Sequence, residues 1–342
     1  MSITLAQKAT PVAPPSQPSM TAMVHDTYGG PEVLTIREVP IPVLAPDEVL
    51  VQVRAAGLDR GVWHLMTGLP YLIRAVGFGL RAPKNPILGM DVAGVVHSIG
   101  SAVTDYQPGD EVYGICNGSF AEYAAVKETK LALKPRNLDF TQAAAVPISA
   151  GTALQGIQDH AGAGPGKHVL ITGAGGGVGT YAVQIAKHLG ATVTAVDGPT
   201  KQDLLRSLGA DHTIDYRSED FTKSGIQYDA IMDIAGNRSL RDLRRALTPK
   251  GKLVITGGEE GDRWIGGVDR QLRAMAMSPF TSQTLGTFIA HESNKSLQTL
   301  TTWVEAGQIK PIIDRTFPLS EGPAAMRYMI ESHVQGKVVI TV

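Results

Sequence analysis

The sequence predicts an α/β chain in two parts: a compact β domain, and a doubly wound parallel-sheet domain inserted within it. Three observations carry that expectation. Short alternating strands separated by turn residues fill the first third of the chain. From His168 onward, apolar strands alternate with helices, the pattern of a parallel sheet covered on both faces. A glycine-rich run, GAGGGVG, stands at 173–179, far from the N-terminus, and mixed structure resumes after about residue 290.

Residues 1–20 are dominated by Pro, Ser, Ala and Gln and read as a disordered tail, without the apolar core of a secretory signal or the arginines of a transit peptide. Val33–Val39, Glu48–Gly57, Met90–Gly100 and Asp110–Ile115 follow as strands. Gly68–Pro86 interrupts them, with Tyr71, Leu72, Ala75, Val76 and Leu80 at helical spacing between proline-marked ends. We read it as a lid or wall over a substrate cleft, with a plain packing helix as the alternative. HVLITG is then a buried strand, Val178–Leu189 a helix, and ATVTAVD, HTIDY, YDAIMDI and KLVITGG further strands with helices between them. TLGTFIA supplies a sixth strand, and GKVVITV a last one near the end. The expected domains are 21–150 with 291–342, and 151–290. Lys337 reads as a turn lysine, with an approach to the cofactor cleft as the second reading.

Composition excludes several functions. The 342 residues suffice for about two domains of ~150 residues. With 31 Lys+Arg against 32 Asp+Glu, no basic excess exists for nucleic acid or an anionic membrane. Cys116 is the single cysteine, which excludes an internal disulfide and any site with two thiolates, and fits a reducing, cytoplasmic location. It reads as a small buried residue rather than a nucleophile. The longest apolar stretch, Pro70–Leu80, is broken by Arg74 and falls short of a ~20-residue membrane span.

The glycine run carries the chemistry. Gly173, Gly176 and Gly179 follow a strand and open a helix, although Ala174 occupies the first glycine of the strict G-x-G-x-x-G pattern. Gly176, Gly177 and Val178 present backbone N–H groups to a pyrophosphate at the helix N-terminus, and Gly179 lets helix and strand approach. Asp197 ends the next strand, where a ribose-binding carboxylate stands in such folds and favours NADH. Lys201 and Tyr216 suit the extra phosphate of NADPH. The residues alone leave the choice open; a lean to NADP(H) over NAD(H) comes only with family resemblance. Thr256, Gly257 and Gly258 end the fifth strand of the sheet, where nicotinamide or ribose would sit.

Taken in order, GLDRGVWHLMTG, GMDVAGVV, PGDEVYG, GSFAEY, AAAVPISAGTAL, GAGGGVG, LGADHTIDY and GKVVITV resemble the medium-chain dehydrogenase/reductase superfamily, in its zinc-independent, quinone-oxidoreductase-like branch. The resemblance implies a GroES-like β domain beside a Rossmann domain, a homodimer, and Thr152 next to the nicotinamide; on residues alone Thr152 reads as a helix N-terminal threonine. It implies hydride transfer to a quinone or an α,β-unsaturated carbonyl, with alcohol dehydrogenation and non-enzymatic cofactor binding as alternatives. Where zinc-dependent members place Cys and His-Glu, this chain has Asp59, Met90 and Asp91, so no metal is expected. His64 falls where relatives keep a proton-relay residue; it reads as a proton donor or as a packed side chain. Asp59 and Arg60 flank the same turn, as catalytic groups or an ion pair, and Trp63 and Tyr71 are the expected substrate contacts.

Overall fold

The computed structural model describes residues 18–236, 238–257, 263–331 and 333–342. Strands β1 (Ser19–Val24) and β2 (Thr35–Pro40) form a short antiparallel ribbon. The tail expected over residues 1–20 lies outside the described residues up to residue 17, and its last residue does not fit the expectation: Met20 is buried in β1, its side chain packed with Ala22, Val24 and Ala121. Next come β3 (Glu48–Leu58), helix α1 (Arg60–Thr67) and the very short α2 (Tyr71–Ile73). The helix expected across Gly68–Pro86 goes no further than a wide turn over Arg74–Phe78, because Gly77 and Gly79 adopt positive φ and break it. Strands β4 (Asp91–Ile99), β5 (Glu111–Ile115), β6 (Tyr123–Lys127) and β7 (Leu131–Leu133) follow. Helices α3 (Phe140–Ala144) and α4 (Pro147–Leu154) lead out of this half.

The second half alternates as its sequence foretells. Its elements are β8 (His168–Thr172), α5 (Gly177–His188), β9 (Thr192–Asp197), α6 (Gln202–Ser207), β10 (His212–Asp215), β11 (Tyr228–Asp233), α7 (Leu240–Arg245), β12 (Leu247–Ile255), α8 (Val268–Met277) and β13 (Thr284–Thr287). The strands form a parallel sheet in the order β10-β9-β8-β11-β12-β13. The reversal of order at β8 opens a crevice at the carboxyl ends of the strands, where such sheets take ligands.

Helix α9 (Asn294–Glu305), strand β14 (Ile313–Pro318), helix α10 (Gly322–Glu331) and strand β15 (Lys337–Thr341) return the chain to the first sheet. That sheet runs β14-β15-β3-β4-β5-β7, with β6 on β3. One hydrophobic core joins the halves: Ala55, Ala93, Tyr113 and Val339 cluster with Ile171, Val193 and Leu300. The Tyr113 hydroxyl seals the seam by donating to the Leu297 carbonyl at 2.8 Å.

Candidate active site

The glycine loop is built by close approach. Gly173 turns with φ of 65°, and a Cβ on Gly179 would lie 2.2 Å from the Gly173 oxygen, so only glycine lets α5 start here. Gly176 behaves differently. A Cβ there would meet only the Gly173 oxygen, at 3.5 Å, so its face is open. With Gly176 as the N-cap of α5 and no side chain capping it, the first N–H groups of the helix can take a diphosphate. Thr256 and Gly257 end the strand two places away, both donating N–H to the Asp233 carbonyl. Gly258 lies outside the described residues.

Asp197 is turned onto the loop. One oxygen accepts the Gly175 N–H and the other the Gly198 N–H, each at 2.8 Å. Lys201 stands 3.6 Å from the same carboxylate, with both side chains largely buried. Tyr216 remains exposed beside Gly198. The structure thus brings Gly175, Asp197 and Lys201 into one cluster at the carboxyl end of β9.

Asp59 and Arg60 begin α1. Asp59 is its N-cap, accepting the Val62 N–H, and Arg60 is exposed in the first turn. His64 lies one turn on. Its Nδ1 is 2.7 Å from the Leu69 carbonyl, which can only accept, so Nδ1 carries hydrogen. Nε2 then acts as an acceptor in the neutral ring and donates only from the imidazolium. Trp63 packs edge-on against His64 at 4.8 Å. Thr152 is not at a helix start: it sits deep in α4, whose first turn is Pro147–Ser149. A capping role is therefore ruled out for it.

Lys337 corrects the sequence reading most sharply. It is no turn lysine but 1% exposed, with Nζ 2.8 Å from Asp91 and 3.5 Å from Asp59. The other oxygen of Asp91 accepts the Ile148 N–H at the start of α4. Burial pushes the Asp91 carboxyl up to about 6, against the pull of Lys337. Burial also pulls Lys337 down, yet the two carboxylates outweigh it and hold the ammonium above the ordinary lysine range. Asp91 interrupts the apolar run MDVAGVV, and an isolated acid there requires a cation; that was the available signal. Asp233, also missed, accepts the Thr172 hydroxyl at 2.6 Å and pairs with Arg270 beneath the loop.

The segment expected to form a lid or wall is bound to the segment before α8. Tyr71 and Leu72 donate backbone N–H to the carbonyls of Arg263 and Trp264, at 2.8 and 3.0 Å. The Tyr71 and Trp264 rings meet edge to face at 5.3 Å, and Arg74 lies over Tyr71. Cys116 is buried, its thiol pushed up to about 12 by desolvation, and it is no nucleophile.

Residues 45–136 match the family described as alcohol dehydrogenase GroES-like domain, and 208–340 that described as zinc-binding dehydrogenase. The chain is 33% identical to an NADPH-dependent alkenal/one oxidoreductase, chloroplastic, of Arabidopsis thaliana, covering 94% of this chain and 79% of that one. It is 34% identical to a 2-methylene-furan-3-one reductase of Solanum lycopersicum, over 98% of this chain and 82% of the other. The quinone oxidoreductase structure from Coxiella burnetii superposes with a TM-score of 0.83 at 28% identity, over 95% of this chain and all of that one. The zinc that one of these descriptions implies does not fit the residues here. The two carboxylates face a buried ammonium rather than an open coordination position, Met90 is a poor ligand, and no group of three metal-ligating side chains exists among the described residues.

Proposed function

The chain belongs to the medium-chain dehydrogenase/reductase superfamily, and from that premise we propose that it is a metal-free, NADPH-preferring reductase of quinones or α,β-unsaturated carbonyls. The observation that carries the reading is the cation at the cleft. Lys337 supplies it from within the chain, buried, hydrogen-bonded to Asp91 and within ion-pair distance of Asp59. It is not available to polarise a carbonyl as a Lewis acid would. A conjugated acceptor needs less such help, because charge arriving at its far carbon is spread to oxygen.

A reduced nicotinamide, when bound, supplies the hydride chemistry. The chain's own residues hold and orient. The N–H groups of Gly176, Gly177 and Val178 would take the diphosphate, and Thr256, Gly257 and Thr152 would line the nicotinamide end. Trp63 and Tyr71 wall the acceptor. The enone gains a hydride at its far carbon and a proton at the α carbon, the proton coming from water or from His64 as imidazolium. NADPH is preferred because Asp197 is occupied by backbone donors while Lys201 offsets its charge. The reading includes a homodimer, supported by the edge position of β13, and a reducing compartment such as the cytoplasm, supported by the buried lone cysteine.

The test is steady-state turnover with enones, quinones and primary alcohols, with each cofactor, with and without a chelator. Enone or quinone reduction that prefers NADPH and ignores the chelator is expected. Chelator-sensitive alcohol oxidation, or cofactor binding with no turnover on any acceptor, overturns the reading.

A further inference from the structure

Lys337 ties together elements that are far apart in the chain. Its ammonium reaches Asp91 of β4, 246 residues away, and Asp59 at the start of α1. Asp91 in turn holds the first turn of α4 through Ile148. The stem of the same lysine lies on the glycine loop: a Cβ on Gly177 would sit 3.1 Å from its Cδ and 3.2 Å from the Ser149 hydroxyl. The preceding residue, Gly336, donates its N–H to the Gly175 carbonyl at 3.0 Å and pairs with Gly176 as an isolated parallel bridge. Loop, α1 and α4 therefore share one fixed point. Asp59 Oδ2 is buried with no hydrogen bond of its own, and Lys337 Nζ is the cation that faces it.

A buried charge cluster is a weak source of stability, because desolvation offsets much of the attraction and apolar residues of the same volume hold a core as well. What such a cluster does supply is a defined geometry. We propose that Lys337 is a positioning residue: it sets the glycine loop against the start of α1, and so fixes the distance between the dinucleotide's reactive end and the helix that carries Trp63 and His64. This rests on the reductase reading above. Each partner still binds without the fixed point, but hydride transfer between them requires near-contact alignment, and a misplacement of about 1 Å can reduce rate about 100-fold.

Lys337→Ala alone would strand two buried carboxylates and risks unfolding, so the decisive variant is Lys337→Met with Asp91→Asn, which removes charge at nearly constant volume. Expected is a folded protein with NADPH Kd and acceptor KM within about threefold of wild type, and kcat lowered roughly 10- to 100-fold. Lys337→Arg, which keeps the charge, should recover part of that loss. Amide exchange should quicken about tenfold or more at Gly175–Gly179 and at Val62–His64 together, and stay unchanged in β9 and β10. A folded double variant with kcat within twofold of wild type, or with unchanged exchange at both segments, overturns the proposal. So does a loss of NADPH affinity that matches the loss of kcat, which would make Lys337 a cofactor ligand. If the wild type turns over no acceptor, the reductase reading fails, and the exchange measurement still decides the role of Lys337.

Discussion

Both oxygens of Asp197 are engaged by backbone N–H groups, and Lys201 stands within ion-pair reach of it in a largely buried setting. A carboxylate held that way is a weaker obstacle to a cofactor phosphate, and the lysine supplies the attraction. Lys201→Ala should weaken NADPH by about 1.5–3 kcal/mol, the range of a charge-assisted hydrogen bond, and leave NADH nearly unchanged. Titrating the two nucleotides against wild type and variant measures this directly; equal losses would show that Lys201 serves the loop and not the phosphate. At this scale the sequence was informative wherever the partners are neighbours in it. The residues from Gly173 to Gly179 read as a phosphate cradle because strand, turn and helix follow one another within a short run. Lys337 misread for the opposite reason: a lysine after a glycine resembles any solvated turn until the fold brings distant acids around it.

Between elements, α2 is clasped onto the segment before α8. Backbone bonds from Tyr71 and Leu72 to Arg263 and Trp264 join the first half to the second, and the paired rings of Tyr71 and Trp264 add to them. An edge-to-face aromatic pair contributes about 0.5–1.5 kcal/mol beyond its area. Trp264→Ala should therefore raise KM for a conjugated acceptor by about 2- to 12-fold, with kcat within about twofold, since the hydride geometry lies elsewhere. A steady-state KM unchanged across acceptors of different bulk would remove the clasp from substrate binding. Sequence periodicity marked Tyr71 and its neighbours, but carried no sign of their pairing with Trp264. Backbone pairing between two irregular segments has no periodic signature, so nothing in either one announces the other.

For the molecule as a whole, the buried carboxylate of Asp91 gives an unusual dependence on acidity. Its folded pKa, about 6, stands above the ~3.9 of an unfolded aspartate, so the native state holds an extra proton between those values. The site's contribution to stability grows as pH falls from 7 through 6 toward 4, and is lost as pH rises through 6. Most carboxylates act in the other direction, including Asp211 and Asp220, whose pKa values are lowered. Comparison with Asp91→Asn isolates the term: in urea midpoints at pH 7 and pH 5, wild type should gain relative to the variant on acidification. No relative change would show that Asp91 stays ionised in the folded protein over that range. The two-part architecture was legible because alternating and continuous apolar strands differ in their patterns; the charge buried between the parts was not, since it belongs to neither pattern.

The place of β15 in the first sheet also bears on how the protein is made. Its neighbour β3 is synthesised early, and β15 only after every strand of the parallel sheet. Until then β4 covers one edge of β3 and β6 covers residues 48–52 of the other, so the stretch 55–58 alone lacks its strand neighbour, and an open strand edge invites pairing with other chains. The parallel sheet, whose strands lie in one uninterrupted run from His168 to Thr287, can close meanwhile on its own. The grip of Gly336 on the glycine loop forms only with that last strand. That contact with the glycine loop is therefore made only after the parallel sheet has been synthesised, and a chain lacking β15 would carry a complete parallel sheet beside an incomplete first sheet.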